Sequence, residues 1–140
     1  MPREPKRWRA VVALALFASC ACRSETERRR TLDALLVSSA VEAVREAPHD
    51  DKGAALERLR VTSCTDARAC AVKELCLQAY TLHQKSVATT RALARAEPSG
   101  ELPSGAAELL ARAERDLAAA KRMSEECLRL EAALVLEARP

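Results

Sequence analysis

The strongest constraint in this chain is a symmetry around one turn. Residues 67–97 and 106–138 contain neither Gly nor Pro, and between them lies Pro98-Ser99-Gly100-Glu101-Leu102-Pro103-Ser104-Gly105, the densest turn signal in the chain. Val72, Leu75, Ala79, Leu82, Ser86, Leu93 and Ala96 recur at three- and four-residue spacing in the first stretch. In the second, Ala106, Ala113, Ala120, Cys127 and Leu134 fall seven apart, with Leu110, Leu117, Ser124 and Glu131 in the alternating seam. Each stretch predicts one long helix. The turn predicts that the two fold back as an antiparallel hairpin with a coiled-coil-like seam.

The cysteines fix the register. Cys76 lies 21 residues before Glu97, and Cys127 lies 21 residues after Ala106. At equal rise both stand about 31 Å from the turn and face each other. A bridge needs Cα atoms within about 7 Å, a spacing that small seam residues permit. Closing a loop of about 50 residues contributes about 4 kcal/mol if the effect is chain entropy. Cys64 and Cys70 form the second expected pair, with a bent connector folding one back onto the first turns of the helix. Four cysteines allow three pairings in all.

Ahead of the hairpin, Leu32, Leu35, Leu36, Ser39, Ala43 and Ala47 mark a helix closed by Pro48, and Ser24 with Glu27 reads as a capping box starting it near residue 25. A loop over Pro48–Gly53 leads to a short helix near 53–61 with Ala55, Leu56 and Leu59 on one side. Thr65 or Asp66 is the expected N-cap of the next helix. The predicted fold is all-α: a long disulfide-pinned hairpin with two shorter N-terminal helices packed on it. Aromatics at 2% and three glycines argue against a sheet. The high alanine content implies a thin core, since each such side chain buries little area.

The first twenty residues read as an address. Arg3, Lys6, Arg7 and Arg9 precede an apolar run over 10–19, the layout of a secretory signal peptide. As a helix that run spans about 15 Å, half of a bilayer core. Phe17-Ala18-Ser19-Cys20 resembles the lipobox of bacterial lipoproteins, with Phe17 where Leu is usual. The resemblance covers residues 1–20 only. It implies cleavage before Cys20 and lipidation of that residue. Cys22 is the rival site, because cleavage before it would leave an even number of cysteines. The resulting organisation is a signal peptide over 1–19, a lipidated tether over 20–25 and one helical domain over 26–140. The expected location is exported and membrane-anchored, on the periplasmic or outer surface.

Removing four basic residues and one acid from totals of 23 and 20 leaves 19 of each, so the mature chain has no net charge. With Tyr80 its only aromatic residue, it lacks both the field and the stacking platforms of a nucleic-acid binder. Arg23, Arg28, Arg29 and Arg30 near the anchor suit anionic headgroups, but interleaved Glu25 and Glu27 suit an ordinary solvated helix equally well. No G-x-S-x-G, H-E-x-x-H, C-x-x-C or phosphate loop occurs. The expectation is therefore a non-enzymatic binding or structural module of the cell envelope, with no catalytic residue and no cofactor. Its partners are the bilayer, through the anchor, and an envelope protein. The alternative is a thiol-based metal-binding or redox protein using Cys64, Cys70, Cys76, Cys127 and His83. The C-x5-C-x5-C spacing does not match zinc-finger pairs, and His83 is expected as a partly buried hairpin residue.

Overall fold

A computed structural model describes the backbone of residues 6–96, 100 and 103–139, and the side chains from Glu25 onward within those ranges. The elements are α1 (Lys6–Glu46), a 3-10 turn (His49–Asp51), α2 (Lys52–Val61), α3 (Ala67–Ala96) and α4 (Ala106–Ala138). No strand occurs among the described residues.

The hairpin is present with the expected bounds and register. Gly105 takes φ +80 at the entry to α4, a left-handed backbone that glycine adopts without steric cost. Along the seam, Val72, Cys76, Ala79 and Ser86 of α3 and Ala113, Ala120, Cys127, Glu131 and Leu134 of α4 are buried. The buried alanines let the two backbones approach closely.

Asp66 is the N-cap of α3, its Oδ1 accepting from the backbone N–H groups of Arg68 and Ala69, each at 3.1 Å. α2 runs antiparallel to α3. Gly53 at its start lies beside Gln84, and near its end the Lys73 ammonium donates to the Thr62 carbonyl at 3.1 Å. Ala55, Leu56 and Leu59 form its buried face, as their spacing predicts. Lys52 closes the end of α1, donating to the Val44 carbonyl at 2.6 Å and the Arg45 carbonyl at 3.0 Å. A cation at a helix C-terminus both fills orphan carbonyls and meets the negative end of the dipole.

α1 departs from expectation in two respects. Its helical backbone runs through Ser24, so the capping signal there does not start the helix. Its core face is also not the leucine-rich one. Ala34, Val37, Val41 and Val44 are buried, whereas Leu32, Leu35 and Leu36 are 55%, 53% and 42% exposed, and Ser39 and Ala43 face solvent with them. Short β-branched side chains let α1 sit close to the seam, where leucines would hold it off.

Three polar ties orient α1 parallel to α3 and antiparallel to α4. Asp33 reaches the start of α3, Ser38 and Arg45 reach Glu131 on α4, and Arg30 Nε donates to Asp66 Oδ2 at 3.3 Å. α1 and α2 thus cover the half of the hairpin remote from its turn. The half near the turn is two helices with no third layer, and Leu109 and Leu110 there are each 40% exposed.

Candidate functional site

The cysteines form two disulfides. Cys76 and Cys127 join α3 to α4 with Cα atoms 5.1 Å apart, and Cys64 and Cys70 join the connector to the first turns of α3 with Cα atoms 5.6 Å apart. Both distances lie in the ordinary range for the bond. Cys76 and Cys127 are fully buried in the seam, nearer its open end than the turn.

His83 does not join them. It is exposed on α3, in contrast to the partly buried position expected. His49 is exposed in the 3-10 turn. Among the described residues no group of three or more His, Cys, Asp or Glu is placed to hold a metal ion. Cys20 and Cys22 lie outside the described side chains.

Two buried acids have partners that sequence reasoning missed, although the seven-residue spacing places the second of them in the seam. Asp33 is the first. Its Oδ2 accepts from the backbone N–H of Thr65 at 2.5 Å, the Thr65 hydroxyl at 2.9 Å and the backbone N–H of Asp66 at 2.6 Å. The Asp66 and Thr65 N–H groups hold its carboxyl below the usual carboxylate range. Glu131 is the second. Its Oε1 accepts from the Ser38 hydroxyl at 2.7 Å and its Oε2 from Arg45 at 2.9 Å. The same Arg45 donates to Glu42 at 3.3 Å. Tyr80 lies half-buried beside this pair, and burial pushes its phenol up, with the Arg45 charge working against the shift. Neither tie carries a local signal, since each partner lies more than thirty residues away. Both are satisfied, as is every buried side-chain polar atom among the described residues. They clamp helices and leave no group aimed into open space.

The surface offers two further features. An open groove of about 440 Å³ runs between α2, α3 and α4, floored by Leu77, Leu82 and Met123 and rimmed by Arg60 and Lys85. The second is the exposed leucine stripe of α1. Arg28 and Arg29 at its start pair with Glu25 at 3.2 and 3.1 Å. With Arg30 turned to Asp66, the arginine run is spent partly on ion pairs within the domain. Among the described residues no helix is long and apolar enough to cross a membrane.

No protein-family model matches the chain, and comparison with curated proteins and with solved structures finds no match.

Proposed function

We propose that this chain is an exported lipoprotein, anchored through Cys20, whose disulfide-pinned helical domain serves as a non-enzymatic binding or structural module in the cell envelope. The observation that carries the reading is the pairing of all four cysteines of the helical domain into two disulfides. Such bonds persist in oxidising compartments and are rare in the cytosol. They agree with the signal-peptide layout of residues 1–19 and the lipobox-like Phe17-Ala18-Ser19-Cys20.

The geometry adds a direction to the anchor. α1 runs antiparallel to α4, and its residues Arg28 and Thr31 lie with Glu137 and Arg139 at the end of the bundle remote from the hairpin turn. The anchor therefore leaves from the end opposite the turn, and α4 carries the turn about 50 Å away along the bundle.

The test is Cys20→Ser in the full chain, read by metabolic fatty-acid labelling and by fractionation. The parent takes up label and sediments with membranes; the variant takes up none and accumulates unprocessed or soluble. Equal labelling and partitioning of the two sinks the assignment, and label lost only in Cys22→Ser moves the anchor to Cys22.

A further inference from the structure

Two of the polar ties that hold α1 end on one short stretch of chain. Asp33 Oδ2 accepts from the backbone N–H groups of Thr65 and Asp66 and from the Thr65 hydroxyl. Arg30 Nε donates to Asp66 Oδ2 at 3.3 Å. Thr65 and Asp66 belong to the connector over 62–66, which is neither helix nor strand. Its first residue is held through the Thr62 carbonyl by Lys73, and its last through the Asp66 side chain that caps α3. Between those points the covalent tie is Cys64–Cys70, which closes a short loop around Thr65 and Asp66.

The two disulfides also differ in access. Cys76 and Cys127 are fully buried between α3 and α4, so a reagent meets them only when the hairpin opens. Cys64 and Cys70 are each partly exposed where α3 begins. Exchange requires a thiolate to reach one of the two sulfurs, so access decides which bond exchanges in the folded chain.

We propose that the Cys64–Cys70 disulfide is a reducible latch on α1: a dithiol opens it while Cys76–Cys127 stays closed, and the freed connector loosens the half of α1 that carries Arg30 and Asp33. In the exchange, a thiolate of the dithiol attacks one sulfur and forms a mixed disulfide, expelling the other cysteine as thiolate. The second thiolate of the dithiol then resolves it. Cys64 and Cys70 end as two thiols and the dithiol as its own disulfide, so two electrons and two protons pass to the chain. Opening the loop returns conformational freedom to the connector, and the fixed N–H groups that serve Asp33 lose their mooring. The other half of α1 keeps its hold, because Val41 and Val44 stay packed and Arg45 stays bonded to Glu131. The opening is therefore local. In the anchored reading above, the loosened half is the one that leads to Cys20, so the bond sets how firmly the domain is held on its tether. The latch itself does not depend on the anchor.

The test is a dithiothreitol titration of the full chain, in whichever fraction it occupies, read by alkylation mapping and by amide hydrogen exchange. Cys64 and Cys70 should become alkylated at concentrations that leave Cys76 and Cys127 linked. At that point the amides of residues 26–37 should exchange severalfold faster, while those of 41–46 and of the seam around Cys76 keep their rates. Oxidised glutathione should restore the slow pattern. Cys64→Ser combined with Cys70→Ser should show the fast pattern without reductant. Asp33→Ala should show it with the bond closed and gain nothing more on reduction. Reduction of both bonds together overturns the latch. So does selective reduction that leaves residues 26–37 unchanged, or that speeds exchange in the seam as well. An Asp33→Ala variant that responds to reduction as the parent does removes Asp33 as the coupling and overturns the mechanism.

Discussion

Asp33, in the middle of α1, accepts three hydrogen bonds through one carboxylate oxygen from Thr65 and Asp66, the two residues that lead into α3. Asp66 in turn caps α3 through its other oxygen. One helix thus fixes the starting point of another. Because the Asp33 pKa is depressed in the fold, its contribution is present above the unfolded value near 3.8 and lost as pH falls through the folded value. Urea unfolding between pH 7 and pH 2 should show stability falling in the acid range, and Asp33→Asn should flatten part of that fall. An unchanged pH profile in Asp33→Asn would remove the carboxylate from the account.

Glu131 is the corresponding tie between α1 and α4. It is buried, whereas Arg45 keeps about a third of its side chain in water. Glu131→Ala should cost about 2 kcal/mol, toward the middle of the range for leaving buried polar partners unmade. Glu131→Gln should cost less, because the amide oxygen still accepts from Ser38 or Arg45. Denaturant midpoints at constant slope measure both.

The two disulfides differ in the loops they close. Cys76–Cys127 spans 51 residues and Cys64–Cys70 spans 6. If the effect is chain entropy, opening the first by a double Cys→Ser change removes about 4 kcal/mol and opening the second about 2 kcal/mol. Thermal unfolding of the two double variants should rank them in that order. The reverse order would show that the connector, and not the seam, limits stability.

The N-cap gives a smaller effect. Asp66→Ala removes the side chain that serves Arg68 and Ala69 and the acceptor for Arg30. A loss of about 1 kcal/mol is expected, with Asp66→Asn retaining most of the capping. Chemical denaturation of the pair separates the cap from the charge.

The hairpin was legible because its signals are local. A run free of Gly and Pro, a dense turn and two cysteines equidistant from it leave one register, and the Cys76–Cys127 bridge follows from it, with Cys64 and Cys70 remaining as the second pair. The short helix with Ala55, Leu56 and Leu59 was legible for the same reason. The orientation of α1 was not. Its leucine spacing is helical, but a period identifies a face without saying what covers it. Here the valine face, with shorter side chains, took the core and the leucine face was left outside. The roles of Asp33 and Glu131 were invisible because their partners are distant in sequence: Asp33 reads as a surface acid until the fold supplies its donors, and the spacing that put Glu131 in the seam did not name Ser38 or Arg45. His83 was placed inside by a seven-residue spacing from Cys76. Spacing carries no information about which positions along a shared face a neighbouring helix covers.

The most direct measurement is peptide mapping of the protein taken from its native membrane fraction with free thiols blocked at lysis. The account predicts three species: a crosslinked peptide pair holding Cys76 and Cys127, an intact loop holding Cys64 and Cys70, and an N-terminal peptide beginning at a lipid-modified Cys20. Blocked free thiols at Cys76 and Cys127, or an N-terminal peptide that still carries residues 1–19, would contradict it.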